Sequence, residues 1–193
     1  MSLIAVTGAG GALGQTVVAR LEQDGHTVSA PRSAEVDLLD AQATQAWADS
    51  LDDVGGLVHL VGGWRGGVEP EDTAWLHAQL VTTLQNATRA FLEPLKRSGG
   101  RFVTVSSKQV EHPSWSNAAY AAAKAAAEAW TFALSDEITA NVVAVNAIVT
   151  PEMRAEKPDA KFATFTDVAD IADAIALLLR ANVNRQRIAL YKD

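Results

Sequence analysis

The chain has 193 residues, 48% of them hydrophobic and 20% charged, which predicts one soluble globular domain (residues 1–193) with a substantial core. Its formal net charge of −7 argues against a surface that binds nucleic acid or an anionic membrane. It has no cysteine, no apolar run of membrane-spanning length and no signal-peptide pattern, so we expect a cytoplasmic protein without disulfides or thiolate metal sites.

The first predicted strand, at residues 3–6, runs into a glycine-rich turn and then into a helical pattern. The turn has Gly8, Gly11 and Gly14, which is not the strict G-x-G-x-x-G spacing. Glycines in this context let the backbone approach a pyrophosphate, whose charge is met by N–H groups at the start of the helix. We interpret the turn as a nucleotide-binding loop; the alternative is a tight turn needed only for packing.

A second strand is predicted at about residues 26–30, and no acidic residue closes it. An aspartate or glutamate there would bind the ribose 2′-hydroxyl of NAD, but Ala30 or Pro31 occupies the place. Arg32 follows and suits a 2′-phosphate, with a solvated loop cation as the alternative. The few residues before Val36 leave no room for a crossover helix, so a third strand, if present, is short and joined by a loop.

The middle of the chain continues the alternation of helices and strands. A helix is predicted at residues 41–51, and a strand, counted as the fourth, at residues 56–61. A glycine-rich segment at residues 62–67 follows at the edge where a cofactor is expected. A long amphipathic helix then covers about residues 72–97, and residues 98–100 end it.

The next strand, at residues 101–107, ends in Ser107, and an alanine-rich helix is predicted over residues 118–134. Tyr120 and Lys124 lie four residues apart on this helix and therefore share one face. Tyrosine ordinarily ionises near pH 10, but a nearby cation favours the phenolate and lets it act as a base. We interpret Ser107, Tyr120 and Lys124 as a proton-transfer site; the alternative is a half-buried aromatic residue and a solvated lysine.

The remaining elements complete the predicted sheet. A strand is predicted at residues 141–147, a charged, proline-containing loop at residues 150–165, a final helix capped by Thr166, and a last strand at residues 187–191. The alternation predicts an α/β fold with helices on both faces of a doubly wound, Rossmann-like parallel sheet of about six to seven strands.

With the glycine turn, Ser107, Tyr120 and Lys124 in this order, the chain resembles the short-chain dehydrogenase/reductase family from residue 3 to residue 191. The resemblance implies that Tyr120 is the general acid/base, that Lys124 lowers its pKa and holds the nicotinamide ribose, and that Ser107 hydrogen-bonds the substrate. Together the resemblance and the loop pattern predict a set of cofactor-binding residues. These are Gly8, Gly11, Leu13, Gly14, Arg32, Asp37, Gly62, Tyr120, Lys124 and Thr150.

The chain also departs from the family pattern. The family usually has Asn-Asn-Ala-Gly after the fourth strand, where residues 59–62 are His-Leu-Val-Gly. The catalytic asparagine of the family's long helix falls near Gln79 or Thr82, and Asn86 is off by a turn. The usual Pro-Gly after the sixth strand is missing, and Thr150 arrives about four residues early. The family's helix between the second and third strands is missing as well.

For several other residues, a structural role is weighed against a role in a metal site or a substrate pocket. His59, in an apolar strand, is predicted to be a hydrogen-bonded core residue, and none of the four histidines has metal-ligand spacing, so no metal site is expected. His112 and Trp115, between Ser107 and Tyr120, are candidates for a substrate pocket or, for the tryptophan, for packing. Trp64 has the same two readings. Ser106 is predicted to face away from the site, since strand neighbours point to opposite faces.

These observations predict an oxidoreductase that prefers NADP, with NAD possible, and interconverts an alcohol and a carbonyl on a small molecule. The alternative is a dinucleotide-binding sensor or regulatory protein of the same fold with weak turnover. The family's long helix and alanine-rich helix pair across a two-fold axis, so we expect a homodimer or homotetramer. We expect no nucleic-acid or membrane partner.

Overall fold

The computed structural model of this protein describes residues 2–191, which contain eight strands. They are β1 (Leu3–Thr7), β2 (Thr27–Ser29), β3 (Val54–His59), β4 (Arg101–Ser107), β5 (Thr139–Val145), β6 (Ala147–Val149), β7 (Phe165–Asp167) and β8 (Arg187–Ala189). Six of them form a fully parallel sheet in the order β2-β1-β3-β4-β5-β8, and β6 pairs with β7 in a small parallel sheet. The predicted parallel α/β fold is confirmed.

Helices cover both faces of the large sheet. They are α1 (Ala12–Gln23), α2 (Ala41–Asp49), α3 (Pro70–His77), α4 (Thr83–Ser98), α5 (Ala118–Leu134), α6 (Pro151–Glu156) and α7 (Val168–Leu178). α1 and α7 pack on one face, and α2, α4 and α5 on the other, with a separate apolar cluster beneath each group. The predicted doubly wound arrangement follows from the apolar residues that both faces of each central strand present.

The strand order reverses between β1 and β3. From β1 the chain moves to β2 on one side, and from β3 it moves through β4 and β5 on the other. In open parallel sheets the crevice at such a switch point, beyond the carboxyl ends of the strands, is where ligands bind. The glycine turn after β1 and the residues after β3 and β4 all lie at this edge.

No strand forms between residues 30 and 40 in the described part of the chain. The Asp37 carboxylate accepts from Leu39 N at 2.9 Å, and Asp40 caps α2. Asn86 from α4 donates its side-chain amide to Leu38 O at 2.9 Å. These local bonds satisfy the segment without a sheet partner, so it remains a loop, and Asn86 lies outside the catalytic region, in agreement with its predicted displacement.

The predicted long helix is interrupted by a π-helical segment, Ala78–Thr82, between α3 and α4. Thr83 N bonds Ala78 O, five residues back, which inserts one extra residue into the turn. Pro70 begins α3 at a position where the missing N–H costs nothing, and Gly99 ends α4 in the left-handed conformation with φ of 64°.

The C-terminal third differs from prediction in three places. The predicted loop at residues 150–165 contains α6, which begins with Pro151 and is capped by the Thr150 side chain. The predicted cap Thr166 is wrong, because it lies in β7 and donates its hydroxyl to Leu190 O at 2.6 Å, so Asp167 precedes α7 instead. The predicted strand at residues 141–147 is two strands, since β5 ends at Val145 and β6 pairs elsewhere.

Across residues 2–191, none of the helices has the length and apolar character needed to cross a lipid bilayer. Cytoplasmic localisation stays a prediction.

Candidate active site

The glycine turn after β1 is built from glycines with different roles. A Cβ on Gly8, whose φ is 73°, would lie 2.6 Å from the Leu60 carbonyl carbon, and one on Gly14 would lie 2.3 Å from Gly8 O. Both positions therefore require glycine for packing. A Cβ on Gly11 would meet nothing closer than Gly8 O at 3.7 Å, so this glycine leaves the space in front of the turn open. A tight turn needed only for packing explains why residues 8 and 14 are glycine, but it does not explain Gly11.

A cleft of about 800 Å³ opens in front of this turn. Eight of the predicted cofactor residues line it. They are Gly8, Gly11, Leu13, Gly14, Arg32, Asp37, Gly62 and Thr150. Gly11 is also the N-cap of α1, and the first turn of that helix carries no acidic residue. The free N–H groups and the positive end of the helix dipole therefore face the cleft, which favours an anionic ligand.

The far end of the cleft is formed by the loop after β2. Arg32 and Asp37 are both exposed there. Arg32 N donates to the Glu35 carboxylate at 2.7 Å, whereas its guanidinium makes no ion pair with any residue that the structure describes. Trp47 from α2 lines the same wall and donates Nε1 to Ser29 Oγ at 3.0 Å. The cleft thus offers a cation and an apolar surface at this end.

A second cavity, of about 470 Å³, brings Ser107, Tyr120 and Lys124 together. Ser107 is the last residue of β4, and the other two lie one helical turn apart on α5. Leu13 and Gly62 line this cavity and the first cleft, so the two spaces adjoin. The arrangement places a hydroxyl, a phenol and an ammonium beside the end of the larger cleft.

Burial shifts the pKa values of Lys124 and Tyr120. Burial lowers the pKa of Lys124 to about 8, and its Nζ donates to Val105 O at 2.8 Å. Burial raises the pKa of Tyr120, while interaction with the Ser107 hydroxyl acts in the opposite direction. The raised pKa is opposite to the lowering predicted from the Tyr–Lys spacing, because desolvation of the phenolate outweighs the other contributions. Tyr120 therefore holds its proton at neutral pH.

The lowered pKa of Lys124 makes stability depend on pH. The folded protein binds this proton less tightly than the unfolded chain, whose lysine has a pKa near 10.5, so the charge destabilises the fold at pH 7 and the penalty fades as pH rises past 8. We expect the unfolding free energy of the wild type, relative to Lys124→Met, to rise by about 2 kcal/mol between pH 7 and pH 10. Urea unfolding of both proteins measures it; a difference that stays constant with pH contradicts it.

An ion-pair network that includes the buried Glu128 adjoins the second cavity through Ser107. Arg187 Nε lies 3.1 Å from both carboxylate oxygens of Glu128, which is four residues after Lys124 on α5 and is 6% exposed. Arg187 Nη2 donates to Ser107 O at 3.1 Å, and Arg187 Nη1 donates to Glu111 Oε1 at 2.5 Å. β8 is thereby connected to β4, to α5 and to the loop after Ser107. No sequence pattern indicated a role for Arg187 or Glu128.

On the long helix, the π-helical segment changes which residues reach the cleft. Gln79 and Thr83 line the first cleft, and Thr82 lines neither space. Thr83 Oγ1 donates to Gln79 O at 2.5 Å and lies 3.4 Å from His59 Nε2, while His59 Nδ1 lies 2.9 Å from Thr7 Oγ1. The prediction that His59 is a hydrogen-bonded core residue is confirmed, and burial, helped by the charge of Lys124, lowers its pKa to about 3.

The ring-bearing residues predicted as candidates for the substrate pocket differ in whether they line the second cavity. Trp64 lines the cavity and is 64% exposed. His112 and Trp115 line neither space, and Trp115 is 79% exposed. Ser106 is among the residues at the second cavity, but its hydroxyl is buried, as expected for a side chain that faces away, and within residues 2–191 that hydroxyl has no hydrogen-bond partner. Gln109, which no sequence pattern indicated, lines the cavity as well.

Comparison with known proteins gives one family and one fold. A family model described as short chain dehydrogenase matches residues 33–164, more than half of the chain, including Ser107, Tyr120 and Lys124. No curated protein matches the sequence. Many solved structures match the fold.

Three solved structures illustrate the likeness. The ligand-free aldohexose dehydrogenase of Thermoplasma acidophilum is 18% identical, with a TM-score of 0.86 over 98% of this chain and 92% of that one. An NADPH-bound short chain oxidoreductase from Pseudomonas aeruginosa with an atypical catalytic center is 18% identical, with a TM-score of 0.83 over 97% and 94%. A small-chain dehydrogenase in complex with NADPH is 19% identical, with a TM-score of 0.84 over 98% and 96%. At these identities the likeness is one of fold.

Proposed function

Because the chain belongs to the short-chain dehydrogenase family, we propose that it is an NADP-preferring oxidoreductase that interconverts a carbonyl and an alcohol on a small molecule. One observation carries the proposal. Ser107, Tyr120 and Lys124 line a single cavity that adjoins a cleft lined by the glycine turn, Arg32 and Asp37. A proton-transfer site next to a dinucleotide-sized cleft at the switch point of a parallel sheet suits this chemistry.

The cleft fits a phosphorylated dinucleotide. The open space in front of Gly11 and the uncapped start of α1 suit a pyrophosphate, and Arg32 suits a 2′-phosphate. Asp37 and Thr150 also line the cleft, and there they would hold the adenosine and the nicotinamide of the cofactor, respectively. When bound, the nicotinamide cofactor supplies the hydride to the carbonyl carbon or accepts it from the alcohol. Two structures of the same fold contain NADPH, which supports the same cofactor here.

The residues of the second cavity have different roles in proton transfer. The Ser107 hydroxyl donates a hydrogen bond to the substrate oxygen and orients it toward Tyr120. Tyr120, protonated at neutral pH because burial raises its pKa, gives its proton to that oxygen as charge develops. The buried Lys124 cation stabilises the phenolate that remains.

The test is oxidation of NADPH in the presence of a panel of small ketones and quinones. Turnover that requires both the cofactor and a carbonyl substrate supports the proposal. Tight NADPH binding without turnover of any compound would instead favour the alternative of a dinucleotide-binding sensor. Absence of NADPH and NADH binding by calorimetry would reject both.

Cofactor preference depends on Arg32. We expect NADPH to bind more tightly than NADH by roughly tenfold or more, because an arginine–phosphate hydrogen bond contributes about 1.5–3 kcal/mol. Arg32→Ala should remove the difference and leave NADH affinity unchanged. Calorimetric titration of both proteins with both cofactors measures this. The assignment fails if the wild type binds NADH equally well.

Self-association is part of the proposal. The outer face of α5 carries a row of exposed small residues. They are Ala122, Ala125, Ala126 and Ala129. A face without large side chains lets a second helix approach closely, as expected for the two-fold helix pairing implied by the family. We expect a homodimer or homotetramer in sedimentation at micromolar concentration. A single species of 20.4 kDa would contradict this.

A further inference from the structure

One guanidinium joins the two elements that carry the proposed reacting groups. Ser107 ends β4, whereas Tyr120 and Lys124 lie on α5. Arg187, at the start of β8, donates Nη2 to Ser107 O and Nε to both carboxylate oxygens of Glu128, which is on α5, with all three distances at 3.1 Å. The Arg187 side chain is 16% exposed, so water competes little for these hydrogen bonds. A single side chain thus ties the end of β4 to α5.

A second tie between β4 and α5 ends short of Ser107. Lys124 Nζ donates to Val105 O at 2.8 Å, two residues before the end of the strand. β4 pairs with β3 up to Thr104 and with β5 up to Ser107, so in the described chain a single strand flanks the last part of β4. The sheet therefore constrains the end of β4 less than its start. The hydrogen bond from Arg187 to the Ser107 carbonyl supplies a constraint at that end.

The same guanidinium also holds the turn that follows Ser107. Arg187 Nη1 donates to Glu111 Oε1 at 2.5 Å and to the Tyr191 hydroxyl at 2.8 Å. That hydroxyl donates to Glu111 Oε2 at 2.7 Å. Glu111 comes directly after the single turn Lys108–Val110, which begins at Ser107. Arg187 therefore constrains Ser107 at its own carbonyl and again through the turn beyond it.

The geometry of this arginine exceeds what stability alone requires. A buried ion pair is weak evidence for stability, because apolar residues of similar volume often stabilise a fold as well. A planar guanidinium presents its N–H groups in fixed directions, and here each of its three nitrogens binds a different part of the chain. The Ser107 hydroxyl interacts with the Tyr120 phenol, so a shift of the end of β4 relative to α5 changes that contact.

We propose that Arg187 is a positioning residue for the reaction, which fixes Ser107 relative to Tyr120 and Lys124 by holding the Ser107 carbonyl and Glu128 with one guanidinium. This inference rests on the proposed function. Arg187 lines neither the cleft nor the second cavity, so it acts through these residues and not on the substrate or the cofactor. Because a misplacement of about 1 Å costs a reaction on the order of 10²-fold, loss of this tie should slow the chemical step.

The kinetic test compares two variants that differ only in the guanidinium. Arg187→Met alone leaves the Glu128 charge buried without its partner and destabilises the fold, so the comparison is made between Glu128→Gln and Arg187→Met/Glu128→Gln. The single-turnover rate with saturating NADPH, per folded NADPH-binding site, should be at least about tenfold lower in the double variant, with NADPH affinity within about threefold. Arg185→Met, which removes an exposed arginine two residues away, should keep the wild-type rate. A merely structural role would lower the folded fraction and leave the rate per binding site equal.

A spectroscopic readout does not need turnover. The chain has two tyrosines, so ¹³C NMR of the tyrosine Cζ gives two resonances, and Tyr120→Phe assigns them. The Tyr120 resonance should move between Glu128→Gln and the double variant, because its contact with Ser107 changes. Equal single-turnover rates, or an unchanged Tyr120 resonance, overturns the inference and leaves the proposed function standing. If the wild type reduces no carbonyl, the proposed function fails, and the Tyr120 resonance alone decides whether Arg187 fixes Ser107 relative to Tyr120.

Discussion

Tyr120→Phe is expected to lower turnover of any carbonyl substrate by about 10²–10⁴ and to leave NADPH affinity within a few-fold. The ring packs beside the apolar cluster that contains Leu76, Leu80 and Ala123, and phenylalanine keeps that packing. Only the hydroxyl that donates the proton is removed. Single-turnover kinetics with saturating NADPH measure the loss at the chemical step, and fluorescence titration measures cofactor affinity separately.

Two controls sharpen this expectation. Ser107→Ala should also reduce turnover, and the double variant should lose little more than Tyr120→Phe, because residues that act as a unit are non-additive. Trp64→Ala changes a residue at the mouth of the same cavity, so it should alter KM more than kcat. If an active substrate is found and Tyr120→Phe reduces it at the wild-type rate, Tyr120 is not the acid.

Tyr120 must regain a proton after each turnover, and the family resemblance implies that an asparagine on the long helix holds the water that supplies it; we expect this resupply to survive although that asparagine is missing here. The sequence suggested Gln79 or Thr82 as its replacement. The π-helical segment leaves Thr82 out of both spaces and brings Gln79 and Thr83 to the wall of the cleft. Of the two suggested residues, Gln79 alone lines the cleft, so we expect a water held by its amide to deliver the proton. Gln79→Leu should therefore slow steady-state turnover and leave the single-turnover rate unchanged.

The fold was predictable because the signals that define it are local. The Arg101–Ser107 strand and the Ala118–Leu134 helix have the bounds that the apolar run and the alanine-rich composition predict. The π-helical segment was not predictable, since one extra residue hardly disturbs the apolar stripe of a long helix. That single residue decides whether Thr82 or Thr83 reaches the cleft. The hydrophobic periodicity of the long helix therefore does not reveal which of its residues face the cleft.

The site was predictable where residues are close in sequence and not where the sheet joins distant ones. The positions of Tyr120 and Lys124 follow from helical spacing. Arg187 reaches Glu128 across 59 residues because β8 lies beside β5, and no local pattern predicts that neighbour. One signal was available: Glu128 is the single acidic residue of a mainly apolar helix, one turn after Lys124.

Arg187→Met is expected to lower the unfolding free energy by about 3–5 kcal/mol. Glu128 is 6% exposed, and Arg187 Nε donates to both of its carboxylate oxygens at 3.1 Å, so removing the guanidinium leaves a buried charge without this partner. The Ser107 carbonyl and the Tyr191 hydroxyl lose hydrogen bonds from the same group. Urea unfolding monitored by tryptophan fluorescence measures the loss directly.

An exposed ion pair two residues away provides the matched control. Arg185 Nη1 lies 3.3 Å from Asp136, and these side chains are 60% and 75% exposed. Arg185→Met should therefore cost less than about 1 kcal/mol, because solvent screens such pairs. The contrast between the two variants separates burial of the charge from loss of an arginine side chain.

The double variant Arg187→Met/Glu128→Gln decides whether the unpaired charge is the cause. Glutamine has nearly the shape of glutamate and carries no charge, so the double variant should recover a large part of the stability lost by Arg187→Met. If instead the double variant is as unstable as Arg187→Met, the loss comes from the hydrogen bonds to Ser107, Glu111 and Tyr191. In that outcome Arg187 stabilises the loop after β4 and not the carboxylate on α5, and Glu128→Gln in the wild-type background should then be nearly neutral.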